Sequence, residues 1–150
     1  MLNQTQNSTR NSTQNSAVRR EEVSPMTSRG GEIRVMLTPK TVEAKRLIMG
    51  YAHLKPGETI INHVHDYGEE AIYVISGTGL LILDGDQNIG LEPNLAAIVH
   101  QGQTHEITNT GPELLEMVFA SAPLAPTPSQ GHRELPKQES GTLAKQESGT

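Results

Sequence analysis

The sequence predicts an all-β fold, an antiparallel sandwich or barrel, from two observations. Short apolar or alternating runs recur between residues 33 and 119, and turns rich in Gly, Pro, Asn or Asp separate them. No segment of useful length repeats its apolar residues with a helical period. About nine short strands joined by tight turns are typical of antiparallel sheets that close on themselves.

The first four predicted strands follow from alternation and from the turns that end them. The first is short and is closed by Thr38-Pro39, which favours the edge of a sheet. The turn Lys55-Pro56-Gly57 separates the second from the third, and Asp66-Tyr67-Gly68 separates the third from the fourth. These strands cover residues 33–37, 47–54, 59–65 and 71–75.

The five later strands are apolar runs between equally clear turns. Asp84-Gly85 is a tight hairpin signal, and Glu92-Pro93-Asn94 ends the strand after it. The strands cover residues 80–83, 87–91, 95–99, 104–108 and 114–119.

Composition bounds the domain organisation and the class of partner. The chain has 150 residues, which suits one domain, predicted at residues 29–122. Residues 1–28 are mostly polar, and residues 123–150 carry several prolines and two copies of Lys-Gln-Glu-Ser-Gly-Thr, so both are predicted to be disordered tails. The absence of Cys excludes disulfides and thiolate metal sites.

Charge and hydropathy argue against two kinds of partner. The net charge of −5 disfavours a nucleic acid, and no apolar run approaches the roughly 18 residues of a membrane helix. The first residues lack a basic segment followed by an apolar one, so no secretory signal is expected and the cytoplasm is the predicted location. A small-molecule substrate is therefore the expected partner.

A metal half-site is predicted where the third strand gives way to the fourth. His63 and His65 are two residues apart, so both side chains leave the same face of a strand. Glu70 follows the turn at residues 66–68, and a hairpin there would fold it back beside the two imidazoles. His105 lies in a later turn that leads into a strand and is the candidate for the rest of the site.

The spacing of these residues resembles the two motifs of the cupin superfamily. Its first motif is matched without a gap, and its second is matched in part, with Asn94 and His100 standing where Gly and Pro are usual. The resemblance implies a β-jelly-roll barrel in which His63, His65, Glu70 and His105 bind one divalent ion. The residues that carry the match are Gly57, His63, His65, Glu70, Gly77, Gly102, His105 and Asn109.

Alternation also predicts what surrounds the site. Ile72 and Val74 should face inward with Glu70, while Met117 and Phe119 share a face and are candidates for an apolar wall. Other inward neighbours follow His105, namely Ile107 and Asn109.

Tyr51 and His53 share one face of the second strand and have two competing interpretations. They are candidate catalytic residues that line the mouth of the cavity as acid, base or hydrogen-bond donor. The alternative, that they face solvent or an oligomer contact, has equal support in the sequence.

A finer resemblance concerns the small cupins of aromatic polyketide biosynthesis, the tetracenomycin- and spore-pigment-type cyclases. Their matching features here are Arg29-Gly30-Gly31, the turn at residues 38–42 and the segment Tyr67-Gly68-Glu69-Glu70, whereas residues 43–46 depart from the pattern. The resemblance implies a non-redox cyclase and dehydratase in which a divalent ion, zinc in that case, polarises a carbonyl and the histidines move protons.

Two alternatives stay open at this point. The same ligands suit an Fe(II)-dependent dioxygenase, and Mn or Ni also fit them, while a third interpretation is a non-catalytic module that binds a small metabolite. A homodimer is also expected, because the edge strand at residues 33–37 is free to pair with a partner sheet.

Overall fold

Two five-stranded antiparallel sheets pack face to face in the computed structural model, which describes residues 16–136. The strands are β1 (Glu32–Leu37), β2 (Ile48–Leu54), β3 (Thr59–Val64), β4 (Glu69–Ser76), β5 (Gly79–Leu83), β6 (Gln87–Leu91), β7 (Ala96–Val99), β8 (Thr104–Thr108), β9 (Leu115–Ala122) and β10 (Arg133–Glu134). One sheet has the order β1-β2-β9-β4-β7, and the other has the order β10-β3-β8-β5-β6. The predicted all-β fold and all nine predicted strands are confirmed, and β10 is an addition.

Only short helical pieces interrupt the strands of the described chain. A single α-helical turn, α1 (Pro39–Val42), begins after Thr38, whose hydroxyl accepts hydrogen bonds from the next backbone N–H groups, as an N-cap does. Two 3-10 turns cover Arg20–Glu22 and Pro128–Gly131. None of these helices is long and apolar enough to cross a membrane.

The core lies between the two sheets and follows the alternation of the strands. On β4 the inward residues Ile72 and Val74 are buried, while the intervening Tyr73 is exposed, as the sequence predicts. Ile107 and Asn109 are buried after His105, also as predicted. The largest fully buried apolar side chains are Leu54, Ile72, Leu81, Leu91, Leu115 and Met117.

The link between β3 and β4 is not the hairpin that the sequence suggests. The two strands belong to different sheets, so residues 65–68 carry the chain from one sheet to the other. Glu70 therefore reaches the histidines across the interior rather than from a neighbouring strand. The prediction of convergence is right, but its predicted route is wrong, because a short turn signal does not show which strands pair.

A β-bulge in β3 sets the direction of its histidine. Ile60 pairs with Ile107 and His63 pairs with His105, so the two residues between them on β3 oppose a single residue on β8. The extra residue lets both Ile60 and His63 point inward despite their odd separation, and both are buried.

The folded body extends beyond the predicted limits of 29–122, so the predicted tails are too long. Met26 exchanges two backbone hydrogen bonds with Ile33, and β10 pairs with β3. We call residues 123–136 the C-terminal strap. Residues 1–15 and 137–150, which include both copies of the six-residue repeat, lie outside the described residues.

The strand β1 lies at the edge of its sheet, as predicted from its length and from Pro39. Met26 bridges to it at Ile33 and covers that part of the edge. The homodimer expected at this edge stays a prediction.

Candidate metal centre

Three histidines from two neighbouring strands and the loop after β3 meet at one point. His63 on β3 and His105 on β8 are directly opposite in register, and their ring centroids are 3.9 Å apart. His65 follows β3, and its ring centroid lies 5.0 Å from that of His63 and 5.1 Å from that of His105. One ring nitrogen from each residue can be chosen so that all three lie within 4.8 Å of one another.

Backbone carbonyls orient two of these rings from behind. Nδ1 of His63 lies 2.8 Å from the carbonyl oxygen of Ile61, and Nδ1 of His65 lies 2.7 Å from that of Gly131. A carbonyl only accepts, so each Nδ1 carries the proton and donates it. In the neutral form of each ring this leaves Nε2 with its lone pair, which is the arrangement seen in metal-binding imidazoles.

His105 is the most buried of the three, with no exposed surface. Neither of its ring nitrogens has a hydrogen-bond partner among the described residues, and Nε2 of His65 has none either. Buried polar atoms are nearly always paired, so unpaired ones call for an explanation. A divalent cation bound by the three rings would explain these unpaired nitrogens, because imidazole nitrogens are suitable ligands for such an ion.

Glu70 approaches the cluster from the opposite sheet. Its Oε2 lies 3.1 Å from Nε2 of His65, and its Oε1 lies 3.6 Å from Nε2 of His105, although neither contact has hydrogen-bond geometry. Oε2 also accepts a hydrogen bond from the hydroxyl of Ser121 at 3.0 Å. The four predicted ligands thus lie together, but the group compact enough to share one ion contains the three histidines without Glu70.

The residues of the cluster differ in the direction of their pKa shifts. Burial lowers the pKa of His63 to about 2, and the neighbouring His105 adds to the effect, so His63 is neutral and free to bind a metal. Burial alone would raise the pKa of Glu70, but its contacts with His105 and His65 outweigh this and lower the pKa. Burial would lower the pKa of His65, but the contact with Glu70 overrides it and raises the pKa.

The cluster opens into a cavity of about 620 Å³ between the sheets. Met117 and Phe119 lie on its wall, as predicted from their shared face. The size and the mainly apolar lining suit a drug-sized, largely apolar molecule. Other apolar residues of the lining include Met26, Ile33, Val35, Ile48, Ala52, Ile60, Ile72, Ile107, Leu124 and Ala125.

Tyr51 and His53 lie on the other side of their sheet, away from this cavity. The inward residues of β2 are Ile48 and Ala52, which line the cavity, so the residues between them face outward. The Tyr51 hydroxyl donates to Glu116, and the guanidinium of Arg20 lies 4.4 Å from its ring centroid. The structure therefore does not bring the pair to the mouth of this cavity, and it places both residues on the outer face of the sheet, as the alternative has it.

One residue of the site, His132, is not among those predicted from the sequence, because it lies in the predicted C-terminal tail. Its ring stacks on that of His63 with a centroid distance of 4.2 Å, and its buried Nε2 has no hydrogen-bond partner within the described chain. Burial lowers the pKa of His132 to about 4, so it is neutral at pH 7. Only a local signal, a lone His among Pro, Ser and Gln, marks it in the sequence.

The C-terminal strap holds His132 in place through both backbone and side chains. Arg133 and Glu134 pair with β3 beside His63, and Arg133 makes two hydrogen bonds of 2.8 Å to the carboxylate of Asp66. The strap also supplies the Gly131 carbonyl behind His65 and part of the cavity wall. It is therefore part of the site.

Comparison with known proteins agrees with this geometry. The sequence profile of the cupin domain matches residues 50–121. The chain is 41% identical over 112 residues to polyketide synthase CurC of Streptomyces cyaneus, covering 75% of this chain and 72% of that protein. It is 35% identical over 115 residues to the tetracenomycin polyketide synthase protein TcmJ of Streptomyces glaucescens, covering 77% and 76%.

A solved structure shows the same fold at lower identity. The polyketide cyclase RemF of Streptomyces resistomycificus superposes with a TM-score of 0.64 at 18% identity, covering 82% of this chain and 87% of RemF. The similarity to CurC and TcmJ extends over more than two thirds of each protein. The chain therefore belongs to the cupin family, and its relatives there include proteins named as parts of polyketide synthases.

Proposed function

We propose that the protein is a metal-dependent cyclase and dehydratase that acts on a polyketide-like carbonyl substrate. One observation carries the proposal: three imidazoles converge beside a large apolar cavity that His63 and His65 line, and two of the three have nitrogens without a partner in the described chain. The relatedness to polyketide synthase proteins supports the substrate class.

His63, His65 and His105 are the residues that would hold the ion, with Glu70 as a fourth ligand or a proton acceptor. A bound divalent ion, zinc in this proposal, supplies Lewis acidity toward a carbonyl oxygen. The two carbonyl-oriented rings are preorganised for this task, because their Nδ1 protons are already engaged.

Ring closure needs a base for a carbon acid and a site that excludes water. Glu70 suits the first role by its position, because its carboxylate lies beside the imidazoles and Ser121 fixes one of its oxygens. The apolar walls suit the second, since they leave the substrate few water molecules to exchange protons with. The reaction removes a proton from carbon, forms a carbon–carbon bond and then releases water, so no oxidant is required.

The proposal is tested with protein purified without chelators. Elemental analysis should find about one zinc per chain. The zinc-loaded protein should then convert ortho-acetonyl acetophenone, a stable diketone, into a methylnaphthol by aldol closure and loss of water. His65→Ala should lose both the metal and the activity.

His100→Ala is the matched control, because His100 is exposed and is not part of the cavity lining, and it should keep both properties. Unchanged metal content in His65→Ala would contradict the ligand assignment. Iron in place of zinc, together with uptake of O₂, would contradict the cyclase and favour a dioxygenase. Binding of the diketone without turnover would favour a non-catalytic module.

A further inference from the structure

We infer that Arg29 is a substrate-binding residue that recognises an anionic oxygen, either a carboxylate or the enolate of a diketone, on the wall of the metal cavity. This inference rests on the proposed function and names a chemical feature of its substrate. It also assigns a role to the Arg29-Gly30-Gly31 motif, which the metal site leaves unused.

Arg29 lines the same cavity as the candidate metal ligands. It lines the same space as His63, His65 and Glu70, and its charge disfavours protonation of His65. Lys40 is the other Lys or Arg of that lining. A ligand seated against the histidines is therefore within the electrostatic influence of the guanidinium.

The guanidinium of Arg29 is half-buried and lacks a direct partner. Within residues 16–136 no hydrogen bond or ion pair engages it, although Glu134 attracts it from a greater distance. Burial lowers the pKa of Arg29, which shows that its charge is poorly solvated. A partly desolvated cation with no counter-ion is costly, and an incoming anion offsets that cost.

Two other arginines of the described chain show what a structural role looks like here. Arg34 bonds to the Glu32 carboxylate and to backbone carbonyls, and Arg133 grips Asp66 with two hydrogen bonds. Both are engaged by protein groups. Arg29 differs from them, because it lines the cavity and no protein group of the described chain bonds to its side chain.

The backbone fixes Arg29 relative to the histidines. Its carbonyl oxygen accepts a hydrogen bond of 3.0 Å from the N–H of Ile61, the residue in the bulge of β3 whose own carbonyl orients His63. Gly30 and Gly31 have φ values of +92° and +63°, which permit the tight turn. A Cβ on Gly30 would overlap the carbonyl oxygen of Thr59, so the turn packs directly on β3.

Arginine suits a ligand of this kind better than lysine does. Its planar fork of donors matches two coplanar oxygens, such as those of a carboxylate or of an enolised diketone. Polyketide-like carbonyl compounds carry both groups. The predicted complex places the apolar body of the ligand on Met117 and Phe119 and its anionic edge on Arg29.

The test is calorimetric titration with naphthalene carboxylate, its neutral carboxamide and the diketone benzoylacetone. Each probe is titrated into the zinc-loaded protein and into the chelator-treated protein. Arg29→Met should weaken carboxylate binding about tenfold or more in both forms, because a charge-assisted hydrogen bond is lost. Carboxamide binding should change less than about twofold, and Arg29→Lys should restore only part of the carboxylate affinity.

Lys40→Met is the matched control, because it removes the other cation of the cavity lining. An equal loss of carboxylate affinity in Lys40→Met would show that any positive charge near the cavity has the same effect, and it would overturn the inference of a specific Arg29 contact. Equal affinity of wild type and Arg29→Met for the carboxylate and for benzoylacetone would also overturn it, as would failure of wild type to bind either. If Arg29→Met does not fold, judged by its melting curve and zinc content, Arg29→Lys and Arg29→Gln carry the comparison.

The two proposals fail separately. If carboxylate binding depends on Arg29 but ortho-acetonyl acetophenone is not cyclised, the binding role of Arg29 is supported and the cyclase proposal is contradicted. If Arg29→Met keeps both ring closure and probe binding, the cyclase proposal is supported and the binding role of Arg29 is contradicted. The chelator-treated arm is independent of the metal, so a loss of zinc is not mistaken for the loss of the arginine contact.

Discussion

Replacement of His105 with Leu should have opposite effects on stability in the metal-free and zinc-loaded protein. His105 is fully buried between its cross-strand neighbours His63 and Leu83, and both of its ring nitrogens lack partners. An unsatisfied buried polar group costs about 1–3 kcal/mol, and an apolar side chain of similar volume avoids that cost. The lost attraction to Glu70, 3.6 Å away, offsets part of the gain.

The net expectation for the metal-free protein is that His105→Leu raises the free energy of unfolding by about 1 kcal/mol. Zinc at a hundredfold excess over its Kd should stabilise wild type by about 2.7 kcal/mol. The variant, which lacks one ligand, should gain far less. With zinc the order therefore reverses, and the variant becomes less stable than wild type by about 2 kcal/mol.

Urea denaturation followed by far-ultraviolet circular dichroism measures both values, since the chain has no Trp for fluorescence. His100→Leu is the matched control, because His100 is exposed, and it should change stability by less than about 0.5 kcal/mol in both conditions. A similar destabilisation of His105→Leu with and without zinc would refute the reasoning, because it would make His105 a structural residue only.

Three further predictions follow from the same geometry. Gly30→Ala should destabilise the protein by about 3 kcal/mol or more in urea denaturation because its Cβ overlaps β3, whereas Gly57→Ala, with a similar φ of +82° but open space, should cost only about 1 kcal/mol. Arg133→Gln should weaken zinc binding up to about tenfold and speed hydrogen exchange at β10, because it releases the strap; unchanged values would make the strap irrelevant to the metal. The metal-free protein should lose stability as the pH falls from about 6.5 toward 4. The unfolded chain then takes up protons at His63 and His132, whose pKa values in the folded protein are lowered to about 2 and about 4. His65 opposes part of this loss, because its contact with Glu70 raises its pKa in the folded protein. Denaturation at several pH values checks this, and a stability that rises toward pH 4 would contradict it.

The strands could be predicted from the sequence because their information is local. Alternation along β4 and the turns at residues 55–57 and 84–86 depend on neighbouring residues, so every predicted strand is present. The meeting of His63, His65, Glu70 and His105 could be predicted only through the spacing of a known family, because the four residues come from both sheets.

The features that could not be predicted depend on contacts between residues that are distant in the sequence. Alternation shows that Tyr51 and His53 share a face of β2 but not which face is inward. The inward face includes Gly50, where any side chain would collide with Phe119 of the cavity wall. His132 was missed for a related reason: its segment has no periodicity, and its position comes from contacts with β3 and Asp66 that lie far away in the sequence.

These contacts connect metal binding to the order of the C-terminal strap. The carbonyl of Gly131 fixes the ring of His65, so a strap docked on β3 presents that imidazole in the orientation a cation needs. Linkage requires the converse as well: whatever factor the docked strap adds to metal affinity, the metal adds to the docking of the strap. Because the strap also forms part of the cavity wall, a bound ion would favour the docked strap, which completes the wall and would shield the proposed substrate from water. If the proposed ion binds, the ligands, the wall and the strap would thus act as one cooperative unit, although they come from distant parts of the chain.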